Sequence, residues 1–291
     1  MARILITGGT GLVGKRLTQL LIDKNHEVLI LSRNPKNENE FKWDIVKNYI
    51  DEKAFKNIDF IIHLAGAGIA DERWTKKRKQ VIIDSRVKTA NLLFEKVNEL
   101  KLELKGFISA SGIGYYGAIT SKTIFKETDK SGSDFLAEVC QKWEAASHKF
   151  SKINIPITIL RTGIVLAAKG GALEKMKTPV ISPLGSGKQY IPWIHIDDLC
   201  QMYIQSIEAN LIGIYNAVAP EHQTSITFSK TLAKSIKRPY LGIGVPAFML
   251  KILFGELAVI LLEGSRISTK KIEKNGYSFR FKTLKKALNN L

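Results

Sequence analysis

The chain has few cysteines, and this shortage excludes two classes of protein. Only Cys140 and Cys200 occur among its 291 residues, too few for a disulfide framework, and neither has a metal-ligand partner at close spacing. No metal is therefore expected. Both cysteines lie in apolar helical patterns, so we expect buried free thiols and a reducing, cytoplasmic compartment.

The sequence also lacks an apolar run long enough for a membrane span. Its most apolar stretch, residues 241–262, is interrupted by Pro246, Lys251 and Glu256, whereas a spanning helix needs about 20 consecutive apolar residues. The stretch predicts a buried helix pair and no membrane span. No signal peptide is expected, because the first predicted strand already begins at Arg3.

Acidic residues are outnumbered, since 44 Lys and Arg against 27 Asp and Glu give a net charge of +17. Such an excess suits nucleic acid, an anionic membrane face or a phosphorylated cofactor. The lysines are spread along the chain, however, with the densest clusters at 76–79 and 282–286. Neither zinc-finger spacing nor an aromatic RNA-binding signature accompanies them. We therefore prefer a solvated basic surface and a small-molecule substrate to nucleic-acid binding, and a homodimer stays open.

Apolar β-rich runs alternate with helical patterns in the first half of the chain. Strands are predicted at 3–7, 28–31, 60–64, 107–109, 157–160 and 214–218, and helices at about 17–24, 77–100 and 135–150. This alternation is typical of right-handed βαβ units around a parallel sheet. We predict an α/β fold: a Rossmann-type doubly wound parallel sheet with a smaller C-terminal substrate lobe. Residues 1–165, with return segments near 190–220, would form the cofactor domain, interwoven with a lobe and helical tail at 166–291.

A glycine-rich turn joins the first predicted strand to the first helix. It reads Thr7-Gly8-Gly9-Thr10-Gly11-Leu12-Val13-Gly14. Glycine suits a tight turn whose backbone approaches a pyrophosphate, and the helix start offers N–H groups and partial positive charge to that anion. With a strand before it and a helix after it, the turn predicts a dinucleotide site formed by Gly8, Thr10, Gly11, Leu12 and Val13.

The end of the second strand indicates which dinucleotide binds. An NAD site usually places Asp or Glu there to accept from the ribose hydroxyls, but this chain has Ser32-Arg33. Arginine can bind a 2′-phosphate with two donors and stack on adenine, and the serine can donate to the same phosphate. The sequence therefore predicts NADP(H) rather than NAD(H).

Further motifs follow along the chain and carry a family resemblance. They are Trp43-Asp44, His63-Leu64-Ala65-Gly66-Ala67, Ser85-Arg86-Val87, Ser109-Ala110-Ser111, Gly114-Tyr115-Tyr116-Gly117, Trp143-Glu144, Leu160-Arg161-Thr162-Gly163, Pro192-Trp193-Ile194-His195, Val245-Pro246-Ala247 and Gly276-Tyr277. In these residues the chain resembles the extended short-chain dehydrogenase/reductase superfamily, on the nucleotide-sugar epimerase side. Within it, the chain is similar to an atypical epimerase-like family with a C-terminal tail domain of unknown function. The resemblance covers essentially the whole chain.

The resemblance implies cofactor contacts. His63, Leu64, Ala65 and Gly66 would end the fourth strand beneath the adenine and ribose. Ser85 falls where many relatives carry an asparagine near the nicotinamide ribose. Arg86 would contact cofactor phosphate or substrate, with a salt bridge on the helix face as the alternative.

The resemblance also implies catalytic groups, one pair of which is missing. In the superfamily a Ser or Thr orients the substrate oxygen, while Tyr-x-x-x-Lys on one helix supplies the acid/base and its partner cation. Ser111 matches the serine. The helix that follows contains no tyrosine, and the residues four positions after Phe135 and Leu136 are Val139 and Cys140.

Other groups can take the place of the missing pair. Tyr115 or Tyr116 would supply a phenol from a different backbone position, although both also fit as packing aromatics beside a turn. His195 is a second candidate acid/base, but a structural role is preferred for it. Lys188 would pair with an anionic substrate or remain a solvated loop lysine.

Two functions fit these observations. The first is an NADP(H)-binding oxidoreductase-like or epimerase-like enzyme that acts on a small carbonyl or hydroxyl substrate, with Ser111 and a tyrosine near the oxygen. The second is a non-catalytic protein that binds NADP(H) to sense redox state or serve as a scaffold. The missing Tyr-x-x-x-Lys favours the second function. The matching serine and the complete substrate-lobe pattern favour the first.

Overall fold

A computed structural model describes residues 1–291. Its strands are β1 (Arg3–Thr7), β2 (Glu27–Ser32), β3 (Glu40–Asp44), β4 (Tyr49–Ile50), β5 (Phe60–His63), β6 (Gly106–Gly112), β7 (Ile124–Phe125), β8 (Ile157–Thr162), β9 (Ile164–Leu166), β10 (Trp193–His195), β11 (Gly213–Ala217) and β12 (Arg266–Ile267). Its α-helices are α1 (Leu12–Asp23), α2 (Lys76–Glu99), α3 (Phe135–His148), α4 (Gly171–Met176), α5 (Ile196–Glu208), α6 (Ser225–Ser235), α7 (Ala247–Phe254), α8 (Val259–Leu262), α9 (Lys270–Lys274) and α10 (Leu284–Asn290).

Eight of the strands form one sheet in the order β11-β8-β6-β5-β1-β2-β3-β4. All neighbours are parallel except β3 and β4. The chain first adds β2, β3 and β4 on one side of β1 and then adds β5, β6, β8 and β11 on the other side. The strand order therefore reverses beside β1. A doubly wound sheet binds ligands at such a reversal, outside the carboxyl ends of its strands. The predicted Rossmann-type fold is confirmed.

Helices cover both faces of this sheet because successive strand residues point to opposite sides. Ile4 and Ile6 of β1 pack in a cluster with residues of α1 and α5, whereas Leu5 packs on the other face with residues of α2. Each strand in the centre is buried on both faces, which explains its continuous apolar sequence.

Six short strands were not predicted from the sequence, namely β3, β4, β7, β9, β10 and β12, and two of them belong to the main sheet. β3 and β4 form an edge of the sheet, and β3 pairs with β2 through Ile30↔Glu40, Leu31↔Phe41 and Ser32↔Lys42. The strand that ends at His63 is consequently the fifth in the chain, not the fourth. An edge strand buries only part of each residue, so β3 lacks the continuous apolar run that marks a central strand.

The prediction of a buried helix pair at residues 241–262 is wrong. α7 buries only Leu250, whereas Phe248 and Ile252 are exposed to solvent. The chain then turns at Gly255, with φ +60°, into a 3-10 turn and the single turn α8. No helix of the structure has both the length and the apolar character needed to cross a bilayer.

The second half of the chain returns to the main sheet, since β11 pairs with β8. The C-terminal tail is attached to α5 by one buried carboxylate. Asp198 accepts hydrogen bonds from the Tyr277 hydroxyl at 3.0 Å and from the backbone N–H groups of Arg280 and Phe281, each at 2.9 Å. Burial and the charge of Asp198 raise the pKa of Tyr277. The division into domains near residue 165 stays a prediction.

We expect Asp198→Ala to lower the free energy of unfolding by about 3 kcal/mol, because the backbone N–H groups of Arg280 and Phe281 lose their acceptor. The Tyr277 hydroxyl keeps the Asp198 backbone carbonyl, at 2.8 Å. The tail should then be cleaved first in limited proteolysis. Asp197→Ala is the matched control, since the Asp197 carboxylate pairs with a part-exposed arginine, Arg16, and should cost at most about 1 kcal/mol. Urea denaturation measures the free energy of unfolding of each variant. If Asp197→Ala lowered it as much as Asp198→Ala does, Asp198 would not be the residue that attaches the tail to α5.

Candidate functional site

The predicted site residues gather at the carboxyl edge of the central strands. The parallel register aligns Thr7 with both Leu31 and His63, and His63 with Ser109. The glycine-rich turn and the segments after β2, β5 and β6 therefore leave the sheet side by side. This edge is the place where a dinucleotide lies in folds of this topology.

The glycine-rich turn has no room for side chains at its base. Gly8 has φ +71°, and a Cβ on it would lie 3.0 Å from the backbone nitrogen of Ala65. A Cβ on Gly14 would lie 2.2 Å from the carbonyl oxygen of Gly8. The turn is thus pressed against the β5 loop on one side and against α1 on the other, as a pyrophosphate-binding turn requires.

The start of α1 faces outward and suits an anion. Thr10, Gly11 and Leu12 are exposed and Val13 is half-buried. Gly11 caps the helix without a side-chain hydrogen bond, and the first turn contains no acidic residue. Its N–H groups and the partial positive charge of the helix are therefore free for a ligand phosphate.

Three polar side chains lie where β2 ends, and none is acidic. Ser32 is buried and accepts from the Asn34 N–H at 3.2 Å, while Arg33 is exposed. Lys42, opposite Ser32 in β3, donates its ammonium to the Arg33 carbonyl oxygen. The sequence analysis missed Lys42. The alternation of polar Lys42 with apolar Phe41 and Trp43 was the available sign of a strand. Only the pairing of β3 with β2 brings this lysine to Arg33.

The His63 imidazole is committed to contacts within the chain, and its predicted cofactor contact stays a prediction. The ring is fully buried, with Nδ1 2.8 Å from the Thr7 hydroxyl and Nε2 3.3 Å from the Thr89 hydroxyl. Burial, assisted by the nearby charge of Arg86, lowers the pKa of His63 to about 4. Thr7 in turn accepts from the Ala65 N–H at 3.2 Å. The neutral imidazole therefore positions the loop after β5.

That loop carries Leu64, Ala65 and Gly66, and α2 presents Arg86 to it. The Arg86 guanidinium carbon would lie 2.9 Å from a Cβ on Gly66. Arg86 is buried, its Nη1 donates to the Ile82 carbonyl at 2.9 Å, and its Nε has no partner. No carboxylate lies within ion-pair distance, so the alternative of a helix-face salt bridge is excluded. Burial lowers the pKa of Arg86 to about 10.

Ser85 fixes the same loop from the preceding position. Its hydroxyl accepts from the Ala67 N–H at 2.9 Å and donates to the Ile82 carbonyl at 3.0 Å.

The Arg86 guanidinium lies 4.9 Å from the centre of the Trp143 ring, at the distance of a cation–π contact. A buried cation without a carboxylate partner therefore lies beside the loop that is predicted to hold the ribose.

The Ser111 hydroxyl is committed to a buried ion pair. It donates to Glu144 Oε1 at 2.7 Å. The Glu144 carboxylate binds Arg161 with two hydrogen bonds, of 2.9 and 2.8 Å. All three residues are buried. The donor of the Ser111 hydroxyl is therefore already used by a buried carboxylate, and the role of Ser111 beside a substrate oxygen stays a prediction.

Tyr116 belongs to the same network. Its hydroxyl donates to Asn216 Oδ1 at 2.6 Å and accepts from Arg161 Nη1 at 3.1 Å. Burial raises the pKa of Tyr116 to about 12. The Tyr116 hydroxyl thus has both a donor and an acceptor within the chain, as a structural group would, and its role as an acid/base stays a prediction.

Tyr115 differs from its neighbour. It is half-buried, and its hydroxyl makes no hydrogen bond to the rest of the chain. The Arg161 guanidinium lies 3.3 Å from the centre of the Tyr115 ring, which fixes the ring without occupying its hydroxyl. Of the hydroxyl groups predicted for catalysis, Tyr115 alone remains available to a ligand.

α3 confirms that the usual catalytic pair is missing. Leu136 packs against Gly114, on which a Cβ would lie 3.0 Å from the leucine Cβ. Cys140 donates its thiol to the Gly112 carbonyl at 3.4 Å, and burial raises its pKa to about 11. Lys142 pairs instead with Glu138 at 2.6 Å. The part of α3 that packs against Gly112 and Gly114 is therefore formed by Leu136 and Cys140, with no tyrosine or lysine.

His195 and Lys188 lie outside this site. The buried ring of His195 stacks on Phe281 with a centroid distance of 3.8 Å, and its Nδ1 accepts from the Asp197 N–H at the start of α5. Burial lowers its pKa. The preferred structural role of His195 agrees with these contacts. Lys188 is an exposed loop residue.

We expect the stability of the protein to fall at acid pH through His63. Its pKa is about 4 when folded but about 6.5 when unfolded, so the unfolded chain binds the proton first. The stability from the neutral ring is complete above pH 6.5 and is lost progressively down to pH 4. Between pH 7.5 and pH 5 this amounts to about 2 kcal/mol.

Urea denaturation at these two pH values tests this expectation. His63→Gln should remove that part of the pH dependence while lowering stability at pH 7.5. His148→Gln, at an exposed position of α3, should keep the wild-type pH dependence. If His63→Gln also kept it, the assignment of a neutral buried ring would be wrong.

Comparison with known proteins supports the whole-chain resemblance. Residues 4–217 match the NAD dependent epimerase/dehydratase family, and residues 245–291 match a domain of unknown function, DUF1731. Epimerase family protein SDR39U1 of Mus musculus is 32% identical over 297 residues, covering 99% of both chains. Epimerase family protein SSP1921 of Staphylococcus saprophyticus is 33% identical over 302 residues, covering 100% of this chain and 99% of its own.

A solved structure has the same fold over the same length. The crystal structure of human epimerase family protein SDR39U1 (isoform 2) with NADPH superposes with a TM-score of 0.88 at 31% identity, covering 99% of this chain and 98% of its own. The fold, the order of the motifs and the tail domain agree with these matches. The chain belongs to the NAD dependent epimerase/dehydratase family.

Proposed function

We propose that the protein binds NADP(H) across the carboxyl edge of its sheet. The observation that carries this proposal is the group of Ser32, Arg33 and Lys42 at the end of β2, where two cations and a hydroxyl take the place of a carboxylate. An acidic residue here would accept from a ribose hydroxyl and repel a 2′-phosphate, whereas these groups attract the phosphate. The human relative that was crystallised with NADPH supports the same choice.

The remaining contacts follow from the position of each residue along the edge. The pyrophosphate would lie on the N–H groups of the turn that contains Gly8, Thr10, Gly11, Leu12 and Val13. The backbone of half-buried Leu64 and Ala65 and of exposed Gly66 would lie beneath the adenosine. The buried Arg86 guanidinium, with its unpartnered Nε, would donate to the nicotinamide ribose or to a substrate oxygen.

NADPH should bind about 100-fold or more tightly than NADH, because loss of two cation–phosphate contacts costs at least about 3 kcal/mol. Arg33→Ala should remove most of this difference, and Lys42→Ala should reduce it while leaving NADH affinity nearly unchanged. Lys36→Ala, in the loop between β2 and β3, is the matched control. Isothermal titration calorimetry measures each affinity, and equal wild-type affinities for the two cofactors would refute the assignment.

We further propose that the protein is an oxidoreductase-like or epimerase-like enzyme for a small carbonyl or hydroxyl substrate. The bound nicotinamide would supply or accept the hydride. Tyr115 would exchange a proton with the substrate oxygen through its free hydroxyl, while Arg161 holds its ring. Arg86 would hold the ribose, in place of the lysine that α3 lacks. The buried free thiols Cys140 and Cys200 support a reducing compartment such as the cytoplasm.

A second function has its own support. α3 presents Leu136, Val139 and Cys140 where the superfamily carries its tyrosine and lysine, and Ser111 is committed to Glu144. A protein with these substitutions can hold NADP(H) without turning over a substrate. It would then sense the redox state of the nicotinamide pool or serve as a scaffold.

Turnover with a panel of aldehydes, ketones and sugar nucleotides distinguishes the two functions. If the protein is an enzyme, Tyr115→Phe should lower kcat by about 100-fold with little change in NADPH affinity. Tyr116→Phe should instead lower the melting temperature, because Asn216 and Arg161 each lose a buried partner, at about 1–2 kcal/mol. An unchanged kcat in Tyr115→Phe would remove it from the mechanism. No wild-type turnover despite tight NADPH binding would establish the second function.

A further inference from the structure

The solvent-exposed side of α7 is apolar. At 100° per residue, Ala247, Leu250 and Phe254 lie on one side of the helix, and these three residues are buried or half-buried. The opposite side carries Phe248, Met249, Ile252 and Leu253. They are 64%, 51%, 73% and 64% exposed, respectively.

A helix that is apolar on both sides is normally buried on both sides. Here the inner side packs toward the cluster of Trp74 and Leu257, and the outer side meets solvent. Ile243, in the extended segment that leads into α7, is a further apolar side chain at 73% exposure. These five large apolar side chains within eleven residues of chain form a patch, which we call the α7 face. Large exposed patches of this kind mark interaction sites.

Basic residues lie on α7 and in the segment that contacts it, and the start of α2 is joined to the turn after α7 by the Lys79–Glu256 pair. Lys251 lies on α7 itself, and Arg73 donates to the carbonyl oxygen of Ile252 from the segment before α2. Lys76 and Lys77 follow at the start of α2. All four are exposed, and none of them takes part in an ion pair.

The acidic residues Asp71, Glu72 and Glu256 are each paired with a cation other than these four, although Asp71 and Glu72 share one arginine. Glu256 pairs with Lys79, and Asp71 and Glu72 lie 3.8 and 3.1 Å from the Arg78 guanidinium. An apolar face with unpaired cations at its border matches the chemistry of one partner in particular. The anionic headgroups of a lipid bilayer meet the cations, and its acyl region receives the apolar side chains.

We propose that the α7 face is a docking surface for an anionic lipid bilayer, on which the helix lies without crossing it. Charge favours this partner over a second copy of the chain. The protein carries a net charge of +17, and pairing two α7 faces would bring the unpaired lysines of both copies together. A bilayer containing anionic lipid attracts the same lysines.

Vesicle flotation with the purified full chain tests the proposal. The protein should bind vesicles made of equal parts of phosphatidylcholine and phosphatidylglycerol, and it should bind vesicles of phosphatidylcholine alone at least about tenfold more weakly. Added salt should weaken binding to the anionic vesicles.

Two variants separate the apolar and the electrostatic contributions. Phe248→Asn combined with Ile252→Asn should weaken binding by at least about tenfold, as should Lys76→Gln, Lys77→Gln and Lys251→Gln together. Because these side chains are exposed, the melting temperature should not change. The controls are Ile212→Asn, 62% exposed just before the edge strand β11, and the triple change of Lys282, Lys285 and Lys286 to Gln.

Three results would overturn the proposal. The wild type would fail to float with anionic vesicles, or the α7 variants would bind as well as the controls do. Alternatively, analytical ultracentrifugation would show a wild-type oligomer that Phe248→Asn with Ile252→Asn dissociates, and the α7 face would then be an interface between copies. Wild-type flotation that both α7 variants weaken and neither control changes would establish the bilayer as the partner.

Discussion

The buried ion pair between Arg161 and Glu144 determines how the carboxyl edge of the sheet is organised. Burial opposes a charge on either side chain, but two hydrogen bonds and the mutual attraction outweigh it, so the pKa of Arg161 is raised. A buried pair is tolerated only when its remaining donors and acceptors are also satisfied. Ser111, Tyr116 and the Glu127 carbonyl fill those positions.

The hydrogen bonds that the Arg161–Glu144 pair requires affect the groups predicted for catalysis but not those predicted to bind the cofactor. Ser111 and Tyr116 are residue types expected of catalytic groups. Their hydroxyls, however, hydrogen-bond to Glu144 and Arg161 of the ion pair. Tyr115 escapes because Arg161 contacts the face of its ring and leaves the hydroxyl free. The cofactor half of the site has no such competing demand. The turn of Gly8 to Gly14 and the cations at the end of β2 face outward, which is why NADP(H) binding is better supported than turnover.

Two further buried polar side chains, His63 and Arg86, lie beside the loop that follows β5. His63 is neutral and joins β5 to β1 and α2 through its contacts with Thr7 and Thr89. Arg86 is buried beside that edge with an unsatisfied Nε, a costly arrangement unless a ligand supplies the acceptor. α7 presents the opposite case, since its apolar residues lie where the fold offers nothing to cover them.

Local sequence was enough to predict the features that depend on a few neighbouring residues. The glycine-rich turn, the Ser32-Arg33 ending of β2 and the absent Tyr-x-x-x-Lys pair each lie within a few consecutive residues, where spacing and residue type are sufficient. The Rossmann-type sheet followed from the alternation of its strands and helices.

Tertiary structure decided the features that depend on contacts between distant segments. Lys42 reaches Arg33 only because β3 pairs with β2, and Ser111 loses its availability only because Glu144 and Arg161 meet from α3 and β8. The exposure of α7 was equally hidden, since an apolar sequence shows that a helix has sides suited to burial but not how many of them the fold covers. The sequence by itself thus specified the residue chemistry at the cofactor edge. The packing of distant elements determined which of those groups remain free to act.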